Sequence, residues 1–142
     1  MTPRTRRVLQ AILYETIAIA VVGPVLSLAF DKPATSTLGL AVVLSSIALT
    51  WSYVFNALFE RWESRQAVKG RSFGRRLAHG VGFEGGLTVL LIPVMALWLD
   101  ITPLSAFIAN LGLLAFFFVY AIAFTWAFDR VFGLPASARP VA

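Results

Sequence analysis

Four long segments of this chain carry almost no charge, and this feature limits the possible folds more than any other. They cover residues 8–30, 35–59, 77–99 and 101–128, and their only acidic or strongly basic members are Glu15 and Glu84. Each is at least 23 residues long, and a helix of about 20 residues crosses the hydrocarbon core of a bilayer. The sequence therefore predicts an all-α membrane protein with four transmembrane helices, over residues 8–30, 36–59, 77–99 and 104–128.

The overall composition supports the same fold class. Hydrophobic residues make up 58% of the chain and charged residues 13%, whereas typical globular domains have about 25% charged residues. A soluble domain of this size could not cover its surface with so few polar groups. The first apolar segment is too long for the core of a signal peptide and lacks a small-residue cleavage site, so we expect it to be retained.

The basic residues lie almost entirely at one end of these four spans. Three arginines precede the first span, six basic residues lie between the second and third, two follow the fourth, and only Lys32 lies at the opposite end. By the positive-inside rule, both termini and the link over residues 60–76 should face the cytoplasm. Because these basic residues flank membrane spans, their excess suits attraction to anionic lipid, and we expect no nucleic-acid partner.

The two halves of the chain match each other after a shift of 69 residues, without a gap. The matched polar and helix-breaking pairs are Arg6-Arg7 with Arg75-Arg76, Glu15 with Glu84, Pro24 with Pro93, Asp31 with Asp100, and Glu60-Arg61 with Asp129-Arg130. Each half crosses the membrane twice, so we predict two parallel helical-hairpin repeats, residues 1–68 and residues 69–142, the second with a short C-terminal tail. A substrate path near the repeat axis and a purely structural role are both compatible with this symmetry.

Glu15 is the residue most informative about function. It lies eight residues after Arg7, about 12 Å along a helix, and so inside the cytoplasmic half of the bilayer. Acids at this depth are costly and typically mark proton or ion pathways. A neutral acid there could exchange its proton for a cationic substrate. The alternative is a protonated glutamate that only forms a hydrogen bond between helices.

Glu84 has the same depth in the second repeat, but four glycines surround it. Ala78, Gly82 and Gly86 lie four residues apart, which is the spacing of a small-residue face that lets helices approach closely. We interpret the glycines as a packing face, which is also a candidate interface for a homodimer because four helices make a thin transport bundle. For Glu84 itself we expect a supporting role in substrate and proton binding.

Six further side chains are candidates to support a substrate path. His79 suits either a proton relay or an interfacial cap near Arg76. The amides Asn56 and Asn110 could contact substrate or simply bond a neighbouring helix. The rings of Tyr14, Trp51 and Phe83 could bind a cation through their faces, or belong to interfacial belts and packing.

Other chemistry is poorly supported. The chain has no cysteine and one histidine, so thiolate catalysis and bis-histidine haem ligation are excluded within one chain, and we expect no metal and no cofactor. No phosphate-binding loop, nucleophile elbow or catalytic triad occurs, which argues against an enzyme. Acidic residues at the ends of the spans, such as Asp31, Asp100 and Asp129, are interpreted as solvated caps.

The motifs resemble those of the proteobacterial antimicrobial compound efflux (PACE) family, whose members carry two bacterial transmembrane pair domains. The similar motifs are Arg7-x7-Glu15 with Tyr14, Trp51-x4-Asn56-x2-Phe59-Glu60, Arg76-x2-His79-x3-Phe83-Glu84, and Tyr120-x5-Trp126-x2-Asp129. The resemblance implies a multi-pass exporter of the bacterial inner membrane that exchanges protons for chlorhexidine-like or acriflavine-like cations or short diamines. It also implies that Glu15 acts in proton coupling, and the family often has an aspartate at the position of Asn110. The alternative is a non-transporting membrane protein for assembly or lipid interaction.

Overall fold

The computed structural model describes residues 1–68, 70, 72–135 and 138, and these fold into four long helices without a strand. The helices are α1 (Pro3–Phe30), α2 (Ala34–Ser64), α3 (Phe73–Leu99) and α4 (Pro103–Phe132). All four are long and apolar enough to cross a membrane. The prediction of an all-α protein with four membrane-spanning helices is therefore confirmed.

Tight turns join the two helices of each hairpin, and we call this end of the molecule the turn end. Asp31 closes α1 and Asp100 closes α3, each in the left-handed conformation, with φ of 52° and 54°. Their backbone N–H groups donate to the carbonyls of Ser27 and Ala96. Aspartate tolerates this conformation better than most residues. Asp31 and Asp100 are 69 residues apart, and so are the two acceptors, Ser27 and Ala96. The repeat is therefore present in the backbone as well as in the sequence.

At the opposite end, which carries the arginines and is called the basic end below, the helices extend beyond the predicted spans. α1 begins at Pro3 behind the capping side chain of Thr2. α3 begins at Phe73 behind the cap Ser72. α2 continues to Ser64 before the link. Lys69 and Arg71 in the link, and the C-terminal tail from residue 136 on apart from Ala138, lie outside the described residues.

The buried core of the bundle lies in the half nearer the turn end. Leu40, Met95 and Leu99 are completely buried there, on the facing sides of α2 and α3. Large apolar side chains on the outer faces are instead strongly exposed, with Leu28 at 87% and Leu97 at 85%. Such an outward apolar surface is expected of helices whose solvent is lipid.

The four helices do not pack equally around the bundle. α1 packs along α2, α3 packs along α4, and α2 packs along α3, but α4 lies only loosely against α1. By repeat symmetry the α2–α3 and α1–α4 contacts should be equivalent. The structure therefore has one closed and one loose interface between its two hairpins, and we call the loose one the α1–α4 seam.

Glycines explain why α2 and α3 are closely packed. Gly86 faces the ring of Trp51, which a Cβ atom at Gly86 would overlap, and a Cβ at Gly82 would lie 3.0 Å from Cζ of Phe55. The repeat-equivalent positions in α1 are Leu13 and Ile17, which are bulkier than glycine and would not allow a helix to approach as closely. The predicted small-residue face thus packs within the chain, and a homodimer, which stays a prediction, would need another surface.

Candidate functional site

A cavity of about 310 Å³ lies between the four helices, near the middle of the bundle. Five of the residues that the sequence singles out line it, namely Tyr14, Glu15, Phe83, Glu84 and Asn110. Apart from Ser45, the other lining residues are alanine, valine, leucine, isoleucine and phenylalanine. The repeat thus brings both intramembrane acids to one largely apolar cavity, which we call the acid cavity.

Glu15 has a hydrogen-bond partner, whereas the part of the chain that the structure describes offers none to Glu84. The hydroxyl of Ser45 in α2 donates to Oε2 of Glu15. The repeat-equivalent of Ser45 is Leu114, which lines the same cavity but cannot donate. The two acids therefore share a cavity but differ in their surroundings. Sequence reasoning missed Ser45, because the same uncharged span also holds the hydroxyls of Ser46 and Thr50 and the sequence does not show which one faces Glu15.

Asn110 bridges α4 to α3 at the side of the acid cavity. Its side chain is buried, and its Nδ2 donates to Oγ1 of Thr88 over 3.2 Å. This is the helix-bridging bond that was one of the two uses expected for the buried amides. Asn110 thus adds a neutral polar group, without charge, to the lining of the cavity.

Tyr14 forms the boundary of the acid cavity towards the basic end, at the α1–α4 seam. The hydroxyl of Tyr120 in α4 donates to the backbone carbonyl of Tyr14 over 2.7 Å, and the two ring centroids are 4.7 Å apart. The ring of Phe124 meets Tyr14 edge-on at 5.2 Å. Edge-on aromatic contacts of this kind are favourable. These contacts close the seam on the basic side of Glu15.

Phe83 occupies the equivalent position on the α2–α3 side. The indole N–H of Trp51 donates to the backbone carbonyl of Phe83 over 2.9 Å, and Phe55 meets the Phe83 ring edge-on at 5.9 Å. Trp51, Phe55 and Phe83 correspond to Tyr120, Phe124 and Tyr14 under the 69-residue shift. The same pattern of bonds therefore recurs on both sides of the cavity. Trp51 lies well inside α2 and its indole bonds α3, so it takes part in packing between these two helices.

His79 and Asn56 form a polar pair outside the acid cavity, between α3 and α2. Nε2 of His79 lies 2.7 Å from Oδ1 of Asn56, while Nδ2 of Asn56 donates to the carbonyl of Ser52. Since Oδ1 can only accept, His79 donates from Nε2 in this arrangement. Aromatic rings surround the imidazole, with Phe59 edge-on at 4.9 Å. The hydrogen-bond partner of His79 is thus on a neighbouring helix, and the two roles considered for it, a proton relay and an interfacial cap near Arg76, stay predictions.

An ion pair joins the first and last helices at the basic end. Nη2 of Arg6 lies 2.5 Å from Oδ1 of Asp129 and donates to the carbonyl of Gly133, and the guanidinium also lies over the ring of Phe128. The two charged side chains are only 12% and 25% exposed. The interpretation of Asp129 as a solvated cap was therefore wrong, because its carboxylate is partly buried and pairs with Arg6 of α1.

Comparisons with known proteins agree with this architecture. The chlorhexidine efflux transporter (BTP) family model matches the chain twice, over residues 2–65 and 71–134. A short-chain diamines transporter of Vibrio parahaemolyticus is 38% identical over 128 residues, which cover 90% of this chain and 91% of that protein. Proteins of the same name from Acinetobacter baumannii and Acinetobacter baylyi are 33% and 32% identical, over 89% of this chain and 87% and 89% of their own lengths.

No solved structure matches the chain significantly. The two family matches each contain one of the helical hairpins described above. Four membrane-spanning helices and relatives from bacteria make the chain a multi-pass protein of the bacterial inner membrane. The family resemblance that the sequence motifs indicated is confirmed, and the chain belongs to the chlorhexidine efflux transporter family, the PACE family of bacterial transmembrane pair proteins.

Proposed function

We propose that this chain is an exporter, and not an enzyme, for cationic substrates of two kinds: amphipathic biocides resembling chlorhexidine or acriflavine, and short diamines. The observation that carries the proposal is the acid cavity, in which Glu15 and Glu84 lie among apolar walls at the centre of the bundle. Two carboxyl groups match the charge of a dication, and the apolar walls match its hydrocarbon part. The names of the curated relatives support the diamine class.

Proton coupling at Glu15 is part of the proposal. A carboxylate surrounded by apolar side chains is costly unless a proton or a cation neutralises it. The hydroxyl of Ser45 is a neutral donor, so it orients Glu15 without compensating its charge. An arriving ammonium group would therefore release the proton of Glu15, and a proton arriving from the other side would release the substrate. Glu84 would hold the second charge of a dication.

The direction of transport follows from the orientation that we propose, with the basic end in the cytoplasm. A substrate from the cytoplasm or the inner leaflet would then meet the rings of Tyr14 and Phe83 before the acids. Aromatic faces attract cations, most strongly where water is excluded. Trp51 would act indirectly, because it holds the backbone of Phe83. His79 and Asn56 would fix the same helix pair.

The second candidate function is a non-transporting membrane protein for assembly or lipid interaction. Such a protein would need the repeat and the close α2–α3 packing, but it would not need an ionisable group at position 15. The Glu15→Gln variant separates the two candidates, because glutamine keeps the size and the hydrogen-bonding capacity of glutamate and cannot exchange a proton.

The first prediction concerns this variant in vesicles that contain the purified protein and carry a pH gradient. Uptake of acriflavine and of 1,4-diaminobutane should fall by about tenfold or more in Glu15→Gln, since removing the charge partner of a desolvated cation costs about 2 kcal/mol or more. Glu60→Gln is the matched control, because Glu60 is an exposed acid outside the acid cavity. It should transport like the unaltered chain. Equal uptake by Glu15→Gln and the unaltered chain would contradict the proposal.

A further inference from the structure

A second cavity lies in the α1–α4 seam, between the acid cavity and the turn end. Its volume is about 290 Å³, and its walls come from α1 between Val21 and Phe30 and from α4 between Ala109 and Phe116. Every lining residue is a valine, leucine, alanine, glycine or phenylalanine. We call it the apolar slot.

The apolar slot and the acid cavity are adjacent. Val22 and Leu113 line both of them. From Glu15 to the far end of the slot at Phe30 is 15 residues of α1, or about 22 Å along the helix. The two cavities thus lie end to end along α1, with carboxyl groups in the lining of one and only apolar side chains in the lining of the other.

Three small residues account for the slot. Under the 69-residue shift, Ala109 and Gly112 in α4 correspond to Leu40 and Val43 in α2. Leu40 is completely buried, in the same core cluster as Met95 and Leu99 of α3. A side chain added at Gly112 would meet no atom within 4 Å. The side chains that fill the closed interface are thus missing from the seam.

The third small residue is Ala29, which corresponds to Trp98 in α3. The indole N–H of Trp98 donates to Oγ of Ser36 over 3.1 Å and so ties α3 to α2 near the turn end. The side chain of Ala29 cannot form such a hydrogen bond between helices. The slot is therefore present at the α1–α4 seam, and the equivalent α2–α3 interface is filled by larger side chains. Loose packing of the whole bundle would not produce this difference.

The geometry points to a binding subsite: the apolar slot receives the hydrocarbon or aryl arm of an elongated amphipathic cation whose charged group lies at Glu15 in the acid cavity. This inference rests on the proposed function, and it adds to it a basis for substrate choice. Short diamines would fit within the acid cavity alone, whereas long biocides would need both parts of the site. Gly112 and Ala109 are then the residues that determine specificity, since they set the room in the slot.

The test fills the slot with the side chains that the other repeat already carries. Gly112→Val and Ala109→Leu should each weaken chlorhexidine binding by about tenfold or more, because room for one methylene in an apolar pocket discriminates between substrates by about 10–200-fold. Binding of 1,4-diaminobutane should stay within about twofold. Affinities would be measured for purified protein in lipid nanodiscs, so that lipid competes for the slot as it does in the membrane.

Gly80→Val is the matched control for Gly112→Val. Gly80 also has no atom within 4 Å of an added Cβ, and it lines neither cavity. It should bind both ligands like the unaltered chain. Unchanged chlorhexidine affinity in Gly112→Val would overturn the inference and would indicate that a lipid chain occupies the slot. An equal loss of affinity for both ligands would also overturn it, because the substitution would then act on the acid cavity. Failure of the proposed function is distinguishable, because the unaltered chain would then bind neither ligand in a Glu15-dependent way.

Discussion

Glu15 and Glu84 occupy equivalent positions in the two repeats, and both line the acid cavity. Their immediate neighbours nevertheless differ, since a hydroxyl from α2 reaches Glu15 and a leucine occupies the equivalent place near Glu84. A repeated residue therefore need not have a repeated role. The hydrogen bond from Ser45 supports our assignment of proton exchange mainly to Glu15.

The second prediction follows from this hydrogen bond. Ser45→Ala should weaken 1,4-diaminobutane binding by about tenfold, since a hydrogen bond to a charged group contributes about 1.5–3 kcal/mol. Ser46→Ala is the control, because the hydroxyl of Ser46 is exposed and bonds the carbonyl of Val42 in its own helix. Both variants would be compared by titration calorimetry. If Ser45→Ala and Ser46→Ala bind the diamine alike, Ser45 does not assist Glu15.

At the scale of helices, the contact between aromatic rings of α2 and glycines of α3 explains why the α2–α3 interface is closely packed. Gly82 and Gly86 let α3 lie against Trp51 and Phe55 of α2, whereas α1 presents larger side chains at the equivalent positions. Close approach through small residues is the main means by which membrane helices associate. The acid cavity is therefore bounded by one closely packed helix pair and one loosely packed pair.

The third prediction tests this packing with two adjacent glycines. Gly86→Leu should destabilise the folded protein by about 1–3 kcal/mol, the usual cost of overpacking. Gly85→Leu should be tolerated, because an added Cβ at Gly85 meets no atom within 4 Å. Thermal unfolding in detergent, followed by circular dichroism, would compare the two. Equal melting temperatures for both variants would show that α2 and α3 do not depend on this contact.

Sequence reasoning could predict the spans and the repeat because charge and proline positions are independent of how helices pack. It also identified both acids of the cavity, since intramembrane carboxyl groups are rare. It could not find the ion pair of Arg6 with Asp129, or the partner of Glu15. Those contacts depend on the rotation and spacing of the helices, which the pattern of apolar residues leaves open because lipid-facing and protein-facing sides are equally apolar.

For the whole molecule, the distribution of arginines predicts the orientation in the membrane. The open ends of both helical hairpins, and nearly all the basic residues, lie at the basic end. The turn end has only Lys32 as a basic residue. Since the inner-membrane orientation decides whether the exporter proposed above takes substrate from the cytoplasm, it is part of the function as well as of the fold.

The fourth prediction uses the absence of native cysteine, which gives a clean background for labelling. Thr35→Cys, exposed at the turn end, should react with a membrane-impermeant maleimide in intact cells. Ala67→Cys, exposed in the link at the basic end, should react only after the cells are opened. Labelling of Ala67→Cys in intact cells would place the basic end outside and would reverse the proposed direction of transport.

The ion pair between Arg6 and Asp129 also has a consequence for how the protein is made. The two residues are 123 positions apart in the chain, so the ribosome has synthesised almost all of the protein before this contact can form. Until then, the part of the acid cavity lining that α4 supplies, between Asn110 and Phe117, is also missing. The last helix to be synthesised is therefore the one that completes both the ion pair and the lining of the acid cavity.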